Sequence, residues 1–204
     1  MKISIVQGVK SIAKMFIAKK VVRFGHLGEA SVVVEPFVTS NPSNISIGDH
    51  CNIGADSIIY ATNAKVTIKK YFISARGLRI STGQHERRIG RFLASITEKE
   101  KNHSIGLDKD VTINEDVWAG FNVIITAGCE IGRGCTLAAG SVVTKSTPPY
   151  SLWGGAPARF IKFYWTIDEI MEHERILYPE KDRFSREQLE EFFKKFSKDN
   201  NPNK

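Results

Sequence analysis

Few side chains in this sequence could act near neutral pH as an imidazole base or a thiol nucleophile. They are five histidines (His26, His50, His85, His103 and His173) and three cysteines (Cys51, Cys129 and Cys135). An imidazole, with an ordinary pKa of about 6.5, can take up or give a proton near neutral pH and so serve as a general base or acid. A thiol could itself attack, but a free cysteine is more commonly a small buried hydrophobe, and that is the reading adopted for all three. The second chemistry is anion binding. Between Lys65 and Lys101 stand ten basic residues (Lys65, Lys69, Lys70, Arg76, Arg79, Arg87, Arg88, Arg91, Lys99, Lys101) and three acidic ones (Glu86, Glu98, Glu100), an excess equal to the +7 of the whole chain. Such a segment is either solvated surface or a field that concentrates anions such as acidic lipid, a phosphorylated cofactor or an acidic sugar. No nucleic-acid motif accompanies it and its aromatics are only Tyr71, Phe72 and Phe92, so nucleic acid is not an expected partner.

The elements that must position these groups follow from a six-residue period. Ile113, Ala119, Ile125, Ile131, Leu137 and Val143 recur at every sixth position, and four residues after each comes a small or β-branched one: Val117, Val123, Cys129, Cys135, Ser141, Thr147. Six helical steps of about 100° would place successive anchors about 240° apart and scatter them round the cylinder, so the unit is a short strand and a turn. A unit this short buries nothing alone, and stacking into a solenoid gives the anchors a common interior. Ile47 and Ile53 begin the same unit earlier, with Cys51 and Ser57 in the small slot; Leu27 and Val33 extend it toward the N-terminus, with His26 and His50 at corners. The period lapses over residues 82–109, which read as a loop thrown out of the solenoid, and loops of more than about 15 residues in compact proteins are usually functional or disordered.

After Trp153-Gly-Gly-Ala-Pro the pattern turns helical. Thr166-Ile-Asp-Glu and Ser185-Arg-Glu-Gln have capping-box spacing, and Leu189, Phe192, Phe193 and Phe196 form one apolar face, separated from the preceding helix at Pro179. At the other end Ile5, Val9, Ile12 and Phe16 make a basic amphipathic helix that either caps the open solenoid or lies on a membrane surface. The organisation expected is therefore an N-terminal helical cap over 1–26, a solenoid over 27–162 and a C-terminal helical extension over 163–204. A length of 204 residues with 42% hydrophobic and 25% charged leaves little room for two full domains. Lysines interrupt the first twenty residues, no apolar run approaches the roughly 18 residues of a membrane span, and an odd number of cysteines favours a reducing compartment. A cytoplasmic protein is expected, at most peripheral to the inner membrane face, with no stable membrane insertion.

Three motifs carry a resemblance. Gly83-Gln84-His85-Glu86-Arg87 opens the loop, Asp116-Val117-Trp118-Ala119-Gly120 lies in the repeats, and Ala139-Gly140-Ser141-Val142-Val143-Thr144-Lys145 runs on through Pro148-Pro149 to Gly154-Gly155-Ala156-Pro157-Ala158-Arg159. Together they resemble the hexapeptide-repeat acyltransferases, and most closely their branch of xenobiotic and capsular-polysaccharide O-acetyltransferases. The resemblance implies an all-β left-handed parallel β-helix, acetyl-CoA as co-substrate with no metal, and a homotrimer with active sites between neighbours. It also implies His85 as the catalytic base, a cofactor-binding set of Trp118, Phe121, Ala139, Thr144, Lys145 and Arg159, and acceptor contacts at Gln84, Arg87 and Arg88. The acceptor is a hydroxyl of a sugar or polysaccharide precursor, with an antibiotic acceptor as the alternative; Arg87, Arg88 and Arg91 near the base argue for an anionic one.

Two other readings use the same solenoid. A zinc hydratase like the gamma-type carbonic anhydrases needs three converging histidines, and that family places two of them a few residues apart, a spacing this sequence lacks. A non-catalytic scaffold would not need His85, Trp118, Lys145 and Arg159 together.

Overall fold

The computed structural model describes residues 22–198. The chain winds as a parallel β-solenoid with three flat faces. The first face stacks His26–Leu27, Ile45–Ile47, Val66–Ile68, Val111–Ile113 and Glu130–Ile131. On the second lie Val32–Val33, Asn52–Ile53, Ile73–Ser74, Trp118–Ala119, Thr136–Leu137 and Ser151–Gly155, with Ala158–Phe163 at its edge. The third stacks Phe37–Thr39, Ser57–Tyr60, Arg79–Ser81, Ile124–Ile125 and Val142–Val143. Registers run without slip up each stack, so Ile68, Ile113 and Ile131 align, as do Ile80, Ile125 and Val143. This is the β-helix the six-residue period requires, and it is consistent with left-handed winding.

All six anchors from Ile113 to Val143 are fully buried, and the small slot that follows each is buried as well. Where that slot holds a hydroxyl, the oxygen serves the corner: Ser57 Oγ donates to the Gly54 carbonyl at 2.6 Å and Ser141 Oγ to the Ala138 carbonyl at 2.5 Å. Such local bonds satisfy carbonyls that a tight corner would leave unpaired. The three cysteines are free and buried, as expected. Burial pushes the Cys135 thiol up to about 11 and moves Cys51 and Cys129 in the same direction, which suppresses the nucleophilic thiolate. At Gly132 a Cβ would stand 2.5 Å from the backbone of Pro148 and Pro149, so the coil above can close only over glycine.

Three expectations need correction. Residues 158–163 do not start the helical part: Ala158–Phe163 folds back antiparallel on Ser151–Gly155 and closes the second face as a hairpin. His26 lies within the first strand, not at a corner, whereas His50 does occupy a corner, at φ 56°. Leu27 is exposed, so the buried repeat begins later than its sequence phase suggests. The expected N-terminal helix falls on residues outside the described part, and residues 22–25 carry no helix.

Two helices follow the hairpin, α1 (Ile167–Leu177) and α2 (Arg186–Lys198). Both predicted capping boxes form: Thr166 and Glu169 exchange side-chain-to-backbone bonds at 2.7 and 3.3 Å, and Ser185 and Gln188 do so at 2.8 and 3.3 Å. Glu174 of α1 is buried, yet accepts from Arg133 at 2.9 Å, the Tyr150 hydroxyl at 2.6 Å and the Phe184 N–H at 2.8 Å. A buried carboxylate needs such a set of donors, and here it locks α1 onto the solenoid. Among the described residues no helix is long and apolar enough to cross a membrane.

Candidate active site

His85 stands near the root of the loop, which leaves the third face at Ser81 and re-enters the first at Val111. The root is closed by the Lys109 N–H donating to the Thr82 carbonyl at 2.8 Å. Beyond it the loop has 3₁₀ turns at Leu93–Ser95 and His103–Ile105 and is organised by polar contacts. Arg88 forks onto Glu86 at 2.5 and 3.0 Å and donates to the Glu100 carbonyl, and Glu86 also accepts the Asn102 N–H at 2.7 Å. Those bonds, Arg88 first, hold the Glu86 carboxyl down to about 2. Lys101, almost wholly buried, donates to Asp108 at 2.7 Å, and Asp108 also meets His103 and Asn63, each at 3.2 Å. Burial raises the Asp108 pKa, but the hydrogen bonds from these three, Lys101 first, outweigh it and hold the carboxyl below its usual range. At Gly83 a Cβ would approach the Asp108 carboxylate to 2.8 Å, so a larger residue would have to displace that side chain from its partners.

These contacts shape a cavity of about 360 Å³ beside the exposed His85 ring, bordered by Tyr60, Thr62, Asn63, Ser81 and Gln84, with Glu98, Lys101 and Asp108 behind. Gln84 and His85 line it; Arg87 and Arg88 do not. Arg88 is committed to Glu86, Arg91 to Ser95 and Glu100, and Lys101 to Asp108, so half of the loop's six Lys and Arg side chains bind the loop itself. The anionic-acceptor expectation rested on Arg87, Arg88 and Arg91; the last two are paired within the loop, and Arg87 is exposed outside this cavity.

The remaining site residues lie on two other parts of the molecule. Trp118 projects from the second face, more than half exposed, and Phe121 and Ala139 occupy the edge between the second and third faces on successive coils. There the Gly140 N–H donates to the Phe121 carbonyl at 2.7 Å. Thr144 and Lys145 follow Val143 on the third face, at the same edge as the loop and two rungs from its root, about 10 Å along the axis. Lys145 shares a cavity of about 530 Å³ with Arg159, Trp153, Phe160, Lys195 and Phe196. One chain thus brings Lys145 to Arg159, but leaves His85 on a different edge from Phe121 and Ala139.

Sequence reasoning did not single out Asp108, Lys101 or Lys195. Lys101 entered only as one of the ten basic residues of its segment, and no motif or period marks Asp108 or Lys195. Among the described residues no three His, Cys, Asp or Glu side chains gather as a metal site.

Comparison with known proteins bears on this arrangement. Residues 110–145 match the family described as bacterial transferase hexapeptide (six repeats), and residues 44–63 match the hexapeptide repeat of succinyl-transferase. A hexapeptide-repeat-containing acetyltransferase from Vibrio cholerae, solved in complex with acetyl coenzyme A, is 32% identical with a TM-score of 0.63, over 76% of this chain and 79% of that one. The galactoside O-acetyltransferase of Escherichia coli is 31% identical over 68% of this chain and 64% of its own length. A probable macrolide acetyltransferase of Lysinibacillus sphaericus is 38% identical over 105 residues, 44% of this chain; the match spans about half the length of that relative, 55%.

Proposed function

The chain belongs to the hexapeptide-repeat acetyltransferases, and from that premise we propose that it moves an acetyl group from acetyl-CoA to a hydroxyl of a sugar or polysaccharide precursor, with His85 as general base. The observation that carries the reading is the placement of His85: an exposed imidazole on a rigidly tied loop root, at the side of a cavity bordered by hydroxyl and amide side chains. A thioester is already activated, so the chemistry asked of the protein is modest. As the acceptor oxygen attacks the thioester carbonyl, the imidazole takes the hydroxyl proton; when the tetrahedral intermediate collapses, the coenzyme sulfur leaves and the proton returns to it.

Trp118, Phe121 and Ala139 would flank the pantetheine arm, and Thr144, Lys145 and Arg159 the nucleotide end. Since the base and the pantetheine residues occupy different edges of one solenoid, a complete site needs the loop edge of one copy against the second–third edge of another. Exposed Val32, Ile73 and Trp118 on the second face and Val38 and Tyr60 on the third support that contact, whereas the first face points His26, Ser46, Thr67, Thr112 and Glu130 outward. Repeating one such heterologous contact about an axis closes a ring, and we take the ring to be a homotrimer. Buried free thiols fit a cytoplasmic, reducing setting.

The acceptor cavity favours a neutral, hydroxyl-rich ligand. The macrolide relative supports a second reading, a xenobiotic acceptor, and the loop's exposed Ile89 and Phe92 would give such a molecule an apolar surface. The test is coenzyme release from acetyl-CoA against a panel of neutral sugars, acidic sugars and macrolides, on protein whose mass is measured by light scattering. Release with neutral sugars by a trimer is the expected result. Release only with macrolides would transfer the assignment to the second reading, and no release or coenzyme binding at all would leave a scaffold.

A further inference from the structure

We infer that Lys195, on the C-terminal helix α2, is a third cation of the coenzyme site and binds a phosphate of the nucleotide half together with Lys145 and Arg159. The inference rests on the acetyl-CoA reading above and adds to it a residue from outside the repeats. Three cations from three separate elements converge on one cavity: Lys145 from the corner after Val142–Val143, Arg159 from the hairpin and Lys195 from α2. Its lining contains no carboxylate. Among the described residues, moreover, no carboxylate lies within ion-pair distance of any of the three. Elsewhere the contrast is plain, since Arg88, Lys101, Arg133 and Arg186 each have an acidic partner. Three like charges gathered without a counter-charge repel one another, and a bound anion relieves that repulsion.

The remaining walls are aromatic. Phe196, the residue after Lys195, packs at 5.6 Å from Phe160 and 5.9 Å from Trp153, and so fixes this turn of α2 against the hairpin. The Lys195 ammonium lies 5.6 Å from the Phe196 ring centroid, within cation–π range. A ligand suited to this mixture carries phosphate beside a flat apolar group, as the nucleotide half of coenzyme A does. By this account α2 closes the end of the solenoid and also takes part in binding.

Calorimetry on the full chain with coenzyme A, dephospho-coenzyme A and pantetheine tests the assignment. Lys195→Ala should weaken coenzyme A binding by about tenfold, the scale of one charge-assisted hydrogen bond, leave pantetheine unaffected, and be rescued by Lys195→Arg. A loss with coenzyme A alone locates Lys195 at the 3′-phosphate, and a loss with dephospho-coenzyme A as well locates it at the diphosphate. Unchanged affinity in Lys195→Ala, while Lys145→Ala or Arg159→Ala weakens binding, would overturn the role of Lys195 and leave the coenzyme reading intact. Failure of the unmodified chain to bind any of the three ligands would remove both.

Discussion

The solenoid and the loop over 82–109 are held together by opposite means. In the solenoid, Ile47, Ile68, Ile113, Ile131 and their neighbours on the other faces are stacked out of water, and each rung repeats the last. Its stability is therefore spread over many equivalent contacts of dispersion and apolar burial. The loop buries almost no apolar side chain; Ile89 and Phe92 are nearly fully exposed. It is ordered instead by a few charged residues, Glu86, Arg88, Lys101 and Asp108, each with more than one partner or a single short one. His85 sits on the second kind of structure and is anchored to the first. A rigid scaffold fixes the position of the loop root, while polar contacts tune the surface that an acceptor would meet.

That division can be broken at either side. The largest effect is expected at the base: His85→Ala should lower kcat by about 10²–10⁴-fold, the usual contribution of general base catalysis, with coenzyme affinity and melting temperature nearly unchanged. Steady-state kinetics beside calorimetry would check it, and a loss of less than tenfold would mean that another group takes the proton. Next in size is the scaffold. Ile125 is fully buried between Ile80 and Val143 of its stack, so Ile125→Ala should destabilise the fold by about 2–5 kcal/mol in urea titration. The same variant should keep its activity per folded molecule below the transition, since no loop residue touches that rung's interior. A cost under about 1 kcal/mol would show that the coils relax around missing atoms more easily than close packing allows.

Legibility in the sequence follows the same division. The period was readable because every coil answers one repeated constraint, an inward anchor and a small residue four positions on, and Ile113 through Thr147 satisfy it without exception. The loop's order was not, because its pairs join residues at unrelated separations: Lys101 to Asp108 across seven positions, Asn102 to Glu86 across sixteen, Asn63 to Asp108 across forty-five. Charge alone suggested an anion-binding surface, but sequence could not say that Arg88 and Lys101 would find carboxylates close by. The hairpin was missed for a third reason. Ala158–Phe163 drops the six-residue phase without adopting a helical one, and only its antiparallel register against Ser151–Gly155 identifies it as a strand. Of the candidate site, the motifs located His85, Lys145 and Arg159, whereas Lys195 reaches the last two only through the docking of Phe196, a tertiary contact.

The smallest effect expected is also the one that separates the two regions most cleanly, and it comes from acid. Glu86 holds Arg88 and the Asn102 N–H, and those bonds, Arg88 first, lower its pKa from 4.5 to about 2. A carboxyl depressed on folding contributes its stabilisation in full above its unfolded pKa, and that contribution fades as pH falls from there through the folded value. For Glu86 the window is therefore from 4.5 down to about 2. Glu100, lowered by the Thr97 backbone bond, and Asp108, lowered by Lys101 against the opposing pull of burial, change in the same direction. The rungs at Ile113, Ala119 and Ile125 are held by apolar burial, and the depressed carboxyl at the corner between the first two, Glu115, pairs with Lys69 and Arg133. Hydrogen exchange, corrected for intrinsic rates, should accordingly show the Asn102 amide losing protection across that window while the amides of these rungs keep theirs. Glu86→Gln should already expose the Asn102 amide at neutral pH and flatten its dependence on acid. If loop and solenoid amides instead lost protection together at one pH, the two regions would be a single cooperative unit, and the polar contacts of the loop would be no more than an extension of the core.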